Sequence, residues 1–366
     1  MAGVASAGSN GSASHESRLP ETTKATIVGS GDFRFEVVGD WATSASGIEH
    51  RDVAGVAVDS RDNVYLFVRT EPKHKVLVYD RAGSFIASWG QDFVARAHGI
   101  TIVDDFVYLT DMGNHTVRKC TLEGDVVMTL GSVGVASDTG FDPTSRTSLA
   151  TITHAGPPFN TPAKAAVAPS GEIYVADGYG NARIHRFSVD GVLIDSWGEP
   201  GNGPGQFNGP HSLFVHSDGR VFVCDRENNR VQIFSEDGSL VEIWPNIARV
   251  SDLYIDGNDI VYCGELHLRK GRISPTGEVI QRDRPSVVSV RDISGKLLTS
   301  LGGGPDALAP GNFASAHGLC VDSHGDLYVG EVSATVLSPR VSGREETMYS
   351  SDVKTIQKFV RVRETE

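Results

Sequence analysis

One pattern recurs six times along the chain and leaves few folds open to it. A short apolar strand leads through a turn of Asp, Gly or Asn into a second apolar strand that closes on an acidic residue. A polar turn, a third strand, another turn and a last strand ending near Trp-Gly complete the unit. Unit one runs from Ala54 to Gly90, unit two from His98 to Gly131, unit three from Ala163 to Gly198, and unit four from His211 to Pro245. Unit five, from Ser251 to Gln281, reads as degenerate. Unit six begins at His317 with HGLCVDSHGDLYVGEV and resumes at TIQKFVRV after an insertion. Four alternating strands joined by tight turns make one antiparallel blade. A blade cannot bury both faces alone, so blades of this kind stack around an axis. The pattern therefore predicts an all-β fold, a six-bladed β-propeller forming a single domain over residues 31–366.

Unit six lacks an obvious fourth strand. The segment FRFEVVGDW, Phe33 to Trp41, matches LIDSWG of unit three and is predicted to supply it. An N-terminal strand closing the ring removes the free sheet edge a propeller would otherwise expose. Two polar stretches interrupt the repeat, Ser132–Thr161 and Ser333–Val353, and both are expected to cover a propeller face. Residues 1–30 are expected to be a disordered leader, the Gly/Ser/Ala bias running to about Ala25. That leader has neither the basic nor the apolar region of a signal peptide. A formal net charge of −13 argues against nucleic acid or an anionic membrane as partner. No apolar run reaches the roughly 18–20 residues of a membrane span. Four scattered cysteines without a CxxC pair point to a reducing, cytoplasmic setting.

The chemistry lies in the first strand of each unit. Aligned residues there are Ala54, His98, Ala163, His211, Ser251 and His317. Histidine stands in units two, four and six, and a small residue in one, three and five. First strands line the central channel, so alternate blades place their residues about 120° apart around it. The other nine histidines show no such placement. Three imidazoles converging on one axis, with small residues between them, form a three-nitrogen set with open positions, the pattern of a catalytic zinc. No carboxylate or thiolate occupies a matching position, which favours zinc over iron or copper. The second strands end at Val68, Asp111, Asp177, Asp225, Glu265 and Glu331, where acids serve chiefly to bond backbone N–H groups of the following turn. The next residues include Arg69 and Arg226, and two cations beside a metal imply an anionic ligand such as a carboxylate, unless they pair with the blade acids. Tyr179, in the corresponding turn of unit three, can reach the same channel mouth as a general base.

The stretches AHGITI and YLTDMGNHTVRK, IYVADGYGNARIHRFS, and GPHSLFV and VCDRENNRVQIF carry a family resemblance. Together with the NHL-type repeat, they resemble the peptidyl-α-hydroxyglycine α-amidating lyases from about Val53 to Val360. The resemblance implies zinc ligands at His98, His211 and His317, a catalytic tyrosine at Tyr179 and active-site arginines at Arg69 and Arg226. It also implies a structural calcium held by the backbone carbonyls of Val56 and Ile100 and by one aspartate directly after the third histidine. Here that position is Gly318, and a hard dication held by neutral oxygens alone is weak. The methionine the family carries two residues before that histidine is Ser315, and its half-cystines are absent, with Gly180 after Tyr179.

The implied reaction is cleavage of a carbinolamide, N–CH(OH)–COO⁻, into an amide and glyoxylate, or a related C–N or C–O lyase step. The substrate would be a small molecule or peptide bearing a carboxylate. Two other readings stand beside it. One is a non-catalytic NHL propeller for protein interaction, for which the alternating histidines are incidental. The other is a lactonase-type hydrolase, which normally holds calcium through Glu, Asn and Asp where this chain has His, Ala and Ser.

Overall fold

A computed structural model describes residues 25–42, 50–70, 73, 75–337 and 355–363. Six antiparallel sheets surround a channel, and in blades one to four the sequential pairing of strands one to four follows from the short turns between them. Blade one comprises Asp52–Val58, Val64–Arg69, Lys75–Tyr79 and Phe85–Trp89. Blades two, three and four likewise follow units two, three and four. The second strands of blades one, three and four are buried and apolar up to a charged last residue, whereas the outermost strand of blade three is mostly exposed. This is the signature of a sheet packed on both faces near the axis and wet at the rim.

Blade five departs from the degenerate reading. Its third and fourth strands are Val287–Arg291 and Leu297–Gly302, so the four-stranded repeat is complete. The segment predicted to finish the unit is an insertion between strands two and three. It doubles back as a hairpin, with bridges Leu268↔Arg284 and Ile273↔Val279. Its apolar residues Ile273 and Val279, both largely exposed, imitate a strand pattern without reaching the blade.

Blade six is closed as predicted. Phe33–Val38 pairs with Ile356–Arg361, which pairs with Leu327–Glu331 and so reaches the inner strand Ala316–Val321. Ile27–Ser30 adds a fifth strand outside Phe33–Val38, so ordered structure begins before residue 31 and within the expected leader. Residues 1–24 lie outside the described residues.

The closing strand also joins the inter-blade packing. In blades two, four and five, the glycine between the last two strands sits against the tryptophan of the preceding blade. These pairs are Gly124 on Trp89, Gly238 on Trp197 and Gly295 on Trp244. Gly83 of blade one meets Trp41 in the same way: its φ is +92°, and a Cβ there would come within 3.1 Å of the indole. Trp41 also packs edge-on against Tyr328, with centroids 5.0 Å apart. The two ends of the chain are thus joined by hydrogen bonds and by a buried aromatic contact.

The loop 132–161 contains a short 3₁₀ turn, Ser148–Thr151, and Leu149 and Ala150 donate to the carbonyl of Pro275 in the blade-five insertion. The two segments therefore meet above the same end of the propeller. Ser333–Leu337 is a short helix, and residues 338–354 of the second expected covering loop lie outside the described residues.

Candidate metal centre

The histidines project inward because the first strands bulge. In blades four, five and six, pairing with the second strand skips the residue before Ser212, Asp252 and Gly318, which is His211, Ser251 or His317. Blade one skips Ala54 in the same way, and blade two skips both His98 and Gly99. A bulged residue leaves the ladder and is re-aimed, here into the channel.

In blades two to six the chain entering strand one is held by the acid at the end of strand two. The N–H group three positions before the channel residue donates to it: Ala95 to Asp111, Asn160 to Asp177, Asn208 to Asp225, Ala248 to Glu265 and Ala314 to Glu331. These acids are structural, as the sequence suggested, although they fix the segment before strand one as well as the turn after strand two. Asp225 and Glu331 accept several hydrogen bonds, yet burial pushes their carboxyls up to about 6 and about 7.

His98, His211 and His317 are buried, and their ring centroids form a near-equilateral triangle with sides of 4.7, 5.0 and 4.8 Å. Their candidate ligand atoms lie within 4.8 Å of one another. Each Nδ1 donates to the carbonyl of the small channel residue on the next blade. His98 reaches Ala163 at 2.7 Å, His211 reaches Ser251 at 2.5 Å and His317 reaches Ala54 at 2.7 Å. A carbonyl only accepts, so Nδ1 carries the proton and Nε2 keeps its lone pair for the axis. Burial lowers all three imidazoles, well below their ordinary value for His98 and His211 and to about 3 for His317, with Arg69, Arg226 and neighbouring histidines adding to it. Three neutral, oriented imidazoles fit a metal ion of the zinc class.

Tyr179 is half-buried at the mouth of this triangle. Its Oη lies 3.0 Å from Nε2 of His98 and 2.8 Å from Nε2 of His211. Arg226 donates to that oxygen through Nη1 at 3.0 Å and to Glu227 through Nε at 2.7 Å. Burial works against the Arg226 charge, but Tyr179 and Glu227 outweigh it and raise the guanidinium above its ordinary value. Glu227 is shared with Arg249. Arg69 is held differently: Nε donates to the carbonyl of Ala97 at 2.9 Å, and Asp52 lies opposite it in the strand pairing. Its Nη groups make no hydrogen bond or ion pair among the described residues. Burial pulls its guanidinium down against the pull of Tyr179 and Asp52. Beyond Glu227, a cavity of about 680 Å³ opens between Arg249, Ala248, the inserted hairpin and Val336.

Apart from Gly318, a second layer of the channel went unread in the sequence. The residues directly after the aligned six are Gly55, Gly99, Lys164, Ser212, Asp252 and Gly318. Lys164 Nζ lies 2.5 Å from Oδ1 of Asp252, and both side chains are nearly buried. Between this layer and the histidines is a cavity of about 10 Å³, room for about one water-sized group. Val56 and Ile100 line the next stretch of channel with Ala166, Leu213, Leu319 and Cys320, and no carboxylate among the described residues lines it. A Cβ on Gly318 would stand 2.7 Å from Gly55 Cα, so the blades leave no space there for an aspartate. The donor set suits calcium poorly: two neutral carbonyls fall well short of the roughly six to eight oxygens it usually takes, and the nearby Asp252 carboxylate is already taken by Lys164, Ser212 and Leu319.

Comparison with known proteins follows the same lines. The NHL repeat model matches residues 159–187 and 207–234, which carry Tyr179, His211 and Arg226. A lyase relative, the Drosophila melanogaster peptidyl-alpha-hydroxyglycine alpha-amidating lyase 1, is 30% identical over 67% of this chain and 44% of its own length. The chain belongs to the NHL-repeat propellers related to the amidating lyases. Human NHL repeat-containing protein 3 is 36% identical over 52% of this chain and 54% of its own length. Rat peptidylglycine alpha-amidating monooxygenase is 31% identical over 57% of the chain and 23% of its own length. The chain thus spans about half or less of the curated relatives it matches. Among solved structures, a streptogramin B lyase aligns with a TM-score of 0.51 at 14% identity, over 86% of this chain and 94% of that one. A Xanthomonas campestris gluconolactonase gives 0.53 at 13% over 90% of each chain. At such identities these two share the fold alone. Among the described residues of this NHL propeller, no helix is long and apolar enough to cross a membrane.

Proposed function

We propose that this chain is a zinc-dependent lyase that cleaves a carbinolamide, R–CO–NH–CH(OH)–COO⁻, into an amide and glyoxylate. The observation that carries the reading is Tyr179 Oη, placed within hydrogen-bond reach of two triad Nε2 atoms and of Arg226. Bound at His98, His211 and His317, the metal would act as a Lewis acid toward the substrate hydroxyl oxygen. Tyr179 takes the hydroxyl proton, the C–O bond becomes the glyoxylate carbonyl, and the C–N electron pair leaves with nitrogen. That nitrogen takes up the proton, so the step needs no oxidant or reductant. Arg226 holds the phenol in place through Nη1. Arg69 has both Nη groups available among the described residues, the arrangement for gripping a carboxylate in two-point fashion.

The cavity beyond Glu227 gives space for an acyl portion larger than the reacting carbons, so short acylated or peptidyl substrates suit it as well as small metabolites. Four free, buried cysteines accord with a reducing compartment. The competing reading, a propeller that only binds other proteins, draws on the similarity to NHL repeat-containing protein 3. Following glyoxylate released from an N-acyl-α-hydroxyglycine by the zinc-loaded protein separates the two. Turnover supports the lyase; none, with zinc bound, removes it.

A further inference from the structure

We infer that the Lys164–Asp252 pair stands in place of the divalent cation that the family resemblance implies and positions the three histidines. The inference rests on the reading of the triad as a metal site. Asp252 reaches the strands that carry His211 and His317 and the strand whose Ala163 carbonyl orients His98. Its Oδ1 accepts from Lys164 Nζ at 2.5 Å and from Ser212 Oγ at 2.5 Å, and its Oδ2 accepts from the Leu319 backbone N–H at 2.9 Å. Ser212 follows His211, and Leu319 lies two residues after His317. Lys164 follows Ala163, whose carbonyl fixes His98. One carboxylate therefore ties together blades three, four, five and six directly beneath the imidazoles.

The implied ion, a dication with one blade-six aspartate and two carbonyls, would carry a net +1, whereas the Lys164–Asp252 pair is neutral. Here the cation is the ammonium of blade three, and the carboxylate comes from blade five. Gly318 is then required, because a side chain at that place would strike Gly55 and the Ala54 carbonyl. Lys164 and Asp252 are positioning residues; neither contacts the Nε2 side of the triad.

The test uses the whole chain stripped of metal and reloaded with Co²⁺, whose d–d absorption reports ligand geometry, with thermal unfolding alongside. In the wild-type protein, calcium in place of chelator is expected to change neither Tm nor cobalt affinity. Lys164→Met leaves Asp252 without its cation, and calcium should then raise Tm and cobalt affinity. Asp252→Asn/Lys164→Met removes the buried charges together, so it should fold, yet bind cobalt about 10–100-fold more weakly with shifted bands. A calcium-dependent rise in wild-type Tm, or an unchanged cobalt affinity and spectrum in the double variant, overturns the inference. A wild-type protein that takes up no cobalt removes the metal reading instead, while the effect of calcium on Tm still decides whether the pair has replaced the ion.

Discussion

His317 Nδ1 donates across 2.7 Å to the carbonyl of Ala54, a residue 263 positions earlier in the chain. The bond spans the junction between the last blade and the first, so the third metal ligand is oriented only once the ring is closed. Removing metal ligands should therefore separate binding from folding. Wild-type protein is expected to hold about one zinc per chain, and His98→Ala/His211→Ala/His317→Ala none. Elemental analysis checks this, and stoichiometric zinc in the triple variant would place the ligands elsewhere.

Tyr179 and the two arginines should part company kinetically. Tyr179→Phe keeps the ring and loses the proton acceptor, so kcat should fall about 10²–10⁴-fold with little change in KM. Arg226→Ala, which releases the phenol, should resemble it. Arg69→Ala should raise KM about 10–100-fold, the worth of charge-assisted bonds to a carboxylate. Steady-state glyoxylate release distinguishes these patterns, and full turnover by Tyr179→Phe would rule out the assigned base.

Acid should weaken the metal-free triad. The folded imidazoles stay neutral far below their ordinary value, about 3 for His317, whereas the unfolded chain protonates near 6.5. Between those limits the unfolded state binds more protons, so stability present above pH 6.5 is lost as pH falls, by at most about 1.4 kcal/mol per pH unit for each histidine. His50 and His267, lowered to about 4, act the same way, while Glu331 and Asp225, raised to about 7 and about 6, oppose it. The triad's share is the difference between wild type and a triple His→Gln variant in urea titrations at pH 7.5 and 5. Parallel pH dependences would contradict the buried, neutral assignment.

Ring closure can be tested away from the channel. Trp41 is buried against Tyr79 and Tyr328. Trp41→Ala should cost about 3–5 kcal/mol of stability, measured by chemical denaturation. Zinc stoichiometry should survive in the fraction that remains folded. A loss below 1 kcal/mol would mean that the contact contributes little to closing the ring.

The repeat, its count of six and the alternation of histidine with small residues were all legible in the sequence, because strand and turn preferences are local and each unit restates them. Phe33–Trp41 was legible as the closing strand for the same reason: it carries the ending of a fourth strand. Blade five misled because Ile273 and Val279 in the inserted hairpin repeat strand periodicity without joining the sheet. The bulges at His98, His211 and His317 depend on how two strands pair, which residue order alone does not record. Nor does it show that Ala163, Ser251 and Ala54 serve the triad through their carbonyls, since every residue has one and only blade packing aims it. Lys164 and Asp252 are 88 positions apart and unremarkable singly. Tertiary structure alone makes them partners, because stacking blades around an axis brings one residue from each to the same depth, where a buried charge must find its counter-ion.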